Sequence, residues 1–137
     1  MSIKERENRY REAVRYIDNA KEMLRTKGNK EDNHYQDAKY VRTASGTAYN
    51  GVLLAVGTYL EMKGKPVRKK GARINVDSFR KGLAVLNKKL LAEFNTTYNV
   101  LHLNGYYEGE TSYGVINEGM KAAENIIEHI KPTVHAA

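Results

Sequence analysis

The sequence contains no cysteine and no tryptophan, and the missing cysteine narrows the possible chemistry. Without cysteine, the chain has no disulfide, no thiolate ligand for a metal and no cysteine nucleophile. Proline occurs only at positions 66 and 132 and phenylalanine only twice, whereas tyrosine occurs ten times. With 41% hydrophobic and 28% charged residues, the composition of the 137 residues is typical of a globular protein, and we expect a single domain over residues 1–137.

The sequence also lacks a secretory signal and a convincing membrane span. The first thirty residues are charged throughout and contain no apolar run of the roughly 7–15 residues that a signal peptide needs, so we expect a cytoplasmic protein. Residues 43–60 carry no charge, and a stretch of this length reaches the lower limit for a membrane span. Threonines, a serine and an asparagine dilute its apolar character. A helix that is buried on several sides is the better interpretation.

Apolar residues recur at three- and four-residue steps through most of the chain, which indicates an all-α protein. Long helices are expected over residues 4–27, 33–62, 77–94 and 111–131, and Pro132 is expected to end the last of them. A short helical segment over 95–107 is expected between the third and the last long helix. The connections are short except for residues 63–76. These features predict an antiparallel four- to five-helix bundle in which the third helix can be broken into two.

The second predicted helix carries Gly46, Gly51 and Gly57. Each glycine costs about 1 kcal/mol relative to alanine in a helix, so a compensating interaction is expected. Close approach of another backbone is the usual reason for small residues at such positions. We therefore expect this helix to be the central one, or to form a homodimer contact, or both.

The net charge of +7 comes almost entirely from one connector. Six of the 23 basic residues and none of the 16 acidic residues lie between positions 63 and 74. Such a patch can attract phosphates or an acidic partner, although a solvated loop whose lysines aid solubility explains it equally simply. The candidate members of this basic patch are Lys65, Arg68, Lys69, Lys70 and Arg73.

The motifs of metal and phosphate chemistry are absent from the sequence. The Glu-x-x-His spacing of di-iron bundles occurs once, at Glu31 and His34, where two copies and further glutamates are needed. The four histidines share no ligand spacing. Neither G-x-x-x-x-G-K-[ST] nor G-x-G-x-x-G is present. We therefore expect no metal and no cofactor.

One constellation of side chains remains as a candidate site. On a helix, residues three and four apart share a face, which groups Asn95, Tyr98, Asn99, His102 and Tyr106. Histidine can move protons near neutral pH, and tyrosine can stack on a nucleobase. The alternative is an interior face on which buried hydroxyls and amides satisfy one another.

The second helix offers residues that could face this constellation, namely Arg42, Tyr49 and Asn50. Arg42 is the last charged residue before the uncharged stretch, and its guanidinium needs either a partner or solvent. We therefore add Arg42 and Asn50 to the candidate ligand-binding residues.

Two segments resemble HEPN-type helical bundles. They are HLNGYYEGETSYGVINEGMKAAENIIEHI, which starts at His102, and DAKYVRTASGTAYNGVLLAVGTYLE in the second helix. The chain is also similar to a group of small uncharacterised bacterial all-α proteins. The resemblance implies a bundle of four or five helices that is often a homodimer, and many HEPN members are RNases or non-catalytic partners of nucleotidyltransferases.

The RNase members of that family carry an arginine, then four to six residues, then a histidine. In this sequence the corresponding positions before His102 hold Asn95, Thr96 and Thr97, so only the histidine carries over. Neither Asn95 nor Tyr98 supplies a fixed cation for a phosphate. The resemblance therefore implies a non-catalytic HEPN-like bundle, with no catalytic residue beyond His102 as a weak candidate.

Three functional hypotheses follow. The first is a non-catalytic, HEPN-like homodimer that binds a partner protein or a nucleotide or RNA ligand. The second is a metal-independent RNase of toxin–antitoxin type that uses His102 as a general base. The third is a purely structural interaction module that docks another protein through its second helix and the connector.

Overall fold

The computed structural model describes residues 1–67 and 75–136, and it confirms an all-α bundle. The helices in chain order are α1 (Ile3–Lys27), α2 (Ala38–Met62), α3 (Val76–Leu86), α4 (Lys88–Thr97), a π-helix (Tyr98–Tyr107) and α5 (Tyr113–His135). An antiparallel hairpin of two short strands, β1 (Lys30–Glu31) and β2 (His34–Tyr35), connects α1 to α2. None of the described helices combines the length and the apolar character that a membrane span requires.

Helix α2 is the central helix, as its glycines predict. It packs against α1, α5 and the π-helix and also contacts α3 and α4. The backbone of α1 approaches α2 closely at Gly51, because a Cβ there would lie 2.9 Å from the carbonyl oxygen of Ala13. Among the fully buried side chains around α2 are Val52, Leu60, Phe79, Phe94, Leu101, Ile116 and Ile126. Their removal from water is the main stabilising contribution to the bundle.

The hairpin contradicts the expected start of the second helix at residue 33. Asp32 and Asn33 have φ angles of 50° and 64°, and two consecutive positive φ angles are what a two-residue hairpin turn of type I′ requires. Asparagine and aspartate tolerate this conformation better than other non-glycine residues. The helix begins only at Ala38, where the side chain of Asp37 accepts a hydrogen bond from the backbone N–H of Lys39.

The helix predicted over residues 77–94 is two helices that meet at Asn87. The backbone of Asn87 is extended, with φ at −163°, so α3 ends there. Its Oδ1 accepts a hydrogen bond of 3.0 Å from the backbone N–H of Leu90 and thereby begins α4. The segment expected over 95–107 is also divided, because residues 95–97 complete α4 and only the remainder forms the π-helix. Most π-helices are single turns, often found at functional sites, so one of ten residues is unusual.

Helix α5 continues past Pro132, which was expected to end it. An internal proline removes one backbone donor and crowds the carbonyl four residues earlier. The helix nevertheless runs to His135, because its last turn still packs on α1. Val134 is fully buried there, and the His135 ring lies edge-on to Tyr10 at 5.5 Å.

Candidate functional site: an aromatic pocket on the π-helix

Four tyrosines and one histidine gather where the π-helix packs on α2. We call them the His102 cluster, and its members are Tyr49, Tyr98, His102, Tyr106 and Tyr107. The ring centroid of His102 lies 4.7 Å from that of Tyr49 and 5.3 Å from that of Tyr98. The ring of Tyr106 is parallel to it at 6.3 Å, and the ring of Tyr107 meets it edge-on at 5.0 Å.

The π-helix explains why four of its own rings meet rather than the three expected on the 95–106 face, the fifth ring being Tyr49 of α2. Its hydrogen bonds join residues five apart, so its turn is wider than that of an α-helix. Residues four and five apart therefore come to the same side. Both Tyr106 and Tyr107 reach His102 for this reason, and an α-helical pattern predicted only the first of them.

An open pocket of about 530 Å³ adjoins the cluster. Its lining residues are Thr43, Gly46, Thr47, Tyr49, Asn50, Leu53, His102, Tyr106 and Tyr107. The two terminal tyrosines are 46% and 60% exposed, which is unusual for such large rings. Gly46 lets Tyr106 lie close against α2, because a Cβ at this position would come within 2.8 Å of the tyrosine ring. The predicted candidates that line the pocket are thus Asn50, His102 and Tyr106.

Arg42, a predicted ligand-binding residue, does not line this pocket. Its Nη1 donates hydrogen bonds to the carbonyl oxygens of Tyr107 at 2.6 Å and of Tyr106 at 3.2 Å. Gly109 leaves room for this contact, since a Cβ there would lie 2.8 Å from the guanidinium, and its φ of 68° suits glycine. Arg42 therefore fixes the end of the π-helix and with it the two exposed rings.

Asn95 and Asn99 also lie outside the pocket lining. The Oδ1 of Asn95 accepts a hydrogen bond of 2.9 Å from Nε of Arg80, and Asn99 is exposed. The Arg80 guanidinium lies 4.5 Å from the ring centroid of Tyr98. Sequence reasoning missed this cation, because the bend at Asn87 brings α3 alongside α4 and no local pattern reports that bend.

Burial favours the neutral form of two titratable groups of the pocket, His102 and Tyr49. Burial lowers the pKa of His102 below the ordinary value of 6.5 and so favours the neutral imidazole. Burial, followed by the charge that Tyr98 would carry, holds the pKa of Tyr49 far above its ordinary value of 10.0. Within the described residues His102 makes ring contacts and no hydrogen bond. The pocket can therefore offer stacking surface and neutral polar groups to a ligand.

Most of the predicted basic patch falls outside the described residues. Lys65 is described and exposed, whereas Arg68, Lys69, Lys70 and Arg73 lie outside the described residues. Over residues 1–67 and 75–136, no three histidine, aspartate or glutamate side chains come together in a way that could hold a metal ion.

The fold and this pocket define a helical-bundle protein with an open aromatic site. The chain belongs to the family described as a domain of unknown function (DUF5618), whose model matches residues 8–132. A solved structure of a protein of unknown function from Dyadobacter fermentans superposes with a TM-score of 0.83 at 40% sequence identity, covering 97% of this chain and 99% of that one. No curated protein matches the chain. The HEPN likeness remains a resemblance, because neither the matching family nor this neighbour bears that name.

Proposed function

We propose that this protein is a non-catalytic, HEPN-like bundle that binds single-stranded RNA or a nucleotide, with a nucleobase stacked in the His102 pocket. The observation that carries the proposal is the exposure of the Tyr106 and Tyr107 rings at the pocket edge. Exposed aromatic rings beside a groove are the usual stacking surface for unpaired bases.

The surroundings of the pocket support the same ligand. Asn50 offers its side-chain amide to base edges, and the hydroxyls of Thr43 and Thr47, which donate to backbone carbonyls of α2, can still accept a hydrogen bond. Arg80, stacked on Tyr98, adds positive charge beside the cluster, which attracts a nucleic-acid backbone at long range. The basic connector adds six further cations to the chain for the same purpose.

A non-catalytic role is favoured because no described arginine beside the cluster is free to bind a phosphate. Nη1 of Arg42 donates to two backbone carbonyls, and the Arg80 guanidinium donates to Asn95 and stacks on Tyr98. A neutral imidazole alone does not neutralise the charge that develops on a phosphate during cleavage.

The test is a titration of a fluorescently labelled single-stranded RNA with the full chain at low and moderate salt, with EDTA present. We expect salt-sensitive binding in the wild type. The double variant Tyr106→Ala/Tyr107→Ala should bind about tenfold or more weakly, since each base–aromatic stack contributes about 1–3 kcal/mol. Tyr16→Ala, which removes a half-buried tyrosine from α1, is the matched control and should bind like the wild type. Equal affinity of the double variant and the wild type would contradict the proposal.

The metal-independent RNase is the second candidate, and the lowered pKa of His102 is the observation that favours it. An imidazole that stays neutral at pH 7 can accept a proton from a ribose hydroxyl. Cleavage of the same RNA, if present, should fall by about 10²–10⁴-fold in His102→Gln while binding persists. Cleavage that is unchanged in this variant, or absent from the wild type, would eliminate the RNase.

The proposal also includes a bacterial cytoplasmic protein that forms a homodimer through α2. Support for the dimer comes from Leu53, Leu54 and Gly57, which are half-buried, belong to the uncharged stretch 43–60 of α2 and line an open groove of about 570 Å³. Light scattering of the wild type and of Leu53→Glu tests the dimer, and a monomeric wild type would contradict it.

The purely structural interaction module remains the competing hypothesis. Salt distinguishes it from RNA binding, because docking through apolar surface does not weaken steeply with ionic strength.

A further inference from the structure

A second cavity lies on a different part of the molecule from the His102 pocket. It is a cleft of about 560 Å³ between α1 and α5, closed at one end by the hairpin, and we call it the α1–α5 cleft. Its volume falls within the range of small-molecule sites. Leu24, Tyr35 and Met120 line it, and all three are otherwise buried, at 6%, 7% and 4% exposure. An occupant would therefore rest its body on an apolar surface.

Two ion pairs account for four of the charges around the cleft. Lys21 Nζ lies 3.5 Å from Glu124 Oε1 across the two helices, and Arg25 pairs with Glu22 along α1 at 2.5 Å. The two charges within each pair neutralise each other, so these four residues attract a charged ligand only weakly.

Lys30 is the lining cation that is paired with no carboxylate among the described residues. Its Nζ lies 3.7 Å from the ring centroid of Tyr113, the first residue of α5, and this cation–π contact holds it at the hairpin end of the cleft. A cation held in place over an aromatic ring, next to apolar surface, loses little side-chain entropy when it binds an anion.

Asp18 is the remaining lining charge, and it limits where a ligand can carry negative charge. It lies near the middle of α1, whereas Lys30 follows the C-terminus of that helix. The helix from Asp18 to Arg25 alone spans about 10 Å. Negative charge is therefore favoured at the hairpin end and disfavoured at the other end.

From this arrangement we infer that the α1–α5 cleft binds a small amphipathic carboxylic acid. The carboxylate pairs with Lys30, and the apolar body lies over Leu24, Tyr35 and Met120. This site is independent of RNA binding at the His102 pocket, so either can fail without the other.

The test uses 1-naphthoate and its neutral isostere 1-naphthamide as probes, each titrated into the full chain at pH 7 and followed by amide chemical shifts. We expect saturable shifts at Leu24, Lys30, Asn117 and Met120 with the acid, and about tenfold weaker binding of the amide, because a charge-assisted hydrogen bond is lost. Saturation centred outside the cleft, or no saturable binding, would overturn the inference.

The matched variants are Lys30→Gln and Lys39→Gln. Lys39 is a second exposed lysine over a tyrosine, with its Nζ 5.3 Å from the Tyr40 ring centroid, and it lies outside the cleft lining. Lys30→Gln should bind the acid only as tightly as the amide, whereas Lys39→Gln should bind like the wild type. Both lysines are exposed, so both variants should melt near the wild-type temperature. Undiminished binding to Lys30→Gln, or equal loss in Lys39→Gln, would overturn the assignment.

Discussion

The π-helix and α5 both pack on α2, yet they use their residues in different ways. Helix α5 buries apolar side chains at three- and four-residue steps, including Ile116, Met120, Ala123, Ile127 and Ile130. The π-helix buries only Val100, Leu101 and Gly105, and it gathers a histidine and three tyrosines beside the pocket. In α5, apolar side chains face the core and polar side chains face solvent. In the wider π-helix, by contrast, aromatic rings lie half-exposed beside the pocket. The candidate site lies where the chain departs from regular geometry.

Among substitutions that test the difference between the π-helix and α5, Gly105→Ala in the π-helix should change the free energy of unfolding most. The new Cβ would lie 2.6 Å from Cβ of the fully buried Ser45 and 3.3 Å from the carbonyl oxygen of Val100. We expect a loss of about 1–3 kcal/mol in the free energy of unfolding, measured with urea.

Gly114→Ala at the start of α5 is the control for that variant. Its nearest neighbouring atom would be 3.9 Å away, so alanine should be tolerated and can raise stability by up to about 1 kcal/mol. Equal destabilisation by the two substitutions would show that the π-helix is no more tightly packed on α2 than the exposed start of α5.

Arg42→Gln should have the next largest effect, because it releases the end of the π-helix. Loss of the bonds to the carbonyls of Tyr106 and Tyr107 should cost roughly 1 kcal/mol in stability at this exposed position. RNA affinity should fall several-fold while its dependence on salt stays the same, since Arg42 contacts the protein. A salt slope reduced by about 1 would instead identify Arg42 as a phosphate contact.

Ser45→Ala should change stability less, and in the opposite direction. The Oγ of Ser45 is buried against the π-helix and has no hydrogen-bond partner among the described residues. Removing it should leave the free energy of unfolding unchanged or raise it by up to about 1 kcal/mol. Thr58→Val is the control, because the Thr58 hydroxyl is buried and donates to the Leu54 carbonyl at 2.8 Å. A clear loss of stability in Ser45→Ala would mean that the hydroxyl has a partner.

The titration of His102 should make the smallest change, a dependence of the free energy of unfolding on pH. Its folded-state pKa lies below 6.5, so the unfolded chain takes up the proton first as the pH falls. The stability that this residue contributes is present above about pH 6.5 and is lost as the pH falls through the folded-state pKa. Urea unfolding at about pH 7.5 and 5 should therefore show a smaller loss in His102→Gln than in the wild type. An identical loss in the two proteins would place His102 in an environment like that of the unfolded chain.

The sequence predicts α1, α2 and α5 well because their apolar residues follow one period, and it predicts the central place of α2 from its glycines. It does not predict the hairpin, whose signal is only the Asp32–Asn33 turn, and it allows a broken third helix without placing the bend at Asn87, which has a single capping residue. The face centred on His102 was found because α- and π-helical turns align residues four apart. Tyr107 and Arg80 were missed because one depends on the wider turn and the other on how α3 lies against α4.

The most direct test of the binding site maps the contact of RNA on the molecule. Single-stranded RNA titrated into isotope-labelled protein should shift the ring resonances of His102, Tyr106 and Tyr107 and leave those of Tyr35 and Tyr113, in the α1–α5 cleft, unchanged. Stacking of a base on the exposed rings moves their resonances upfield. Shifts confined to the α1–α5 cleft, or spread evenly over all tyrosines, would contradict the assignment of the aromatic pocket as the site of binding.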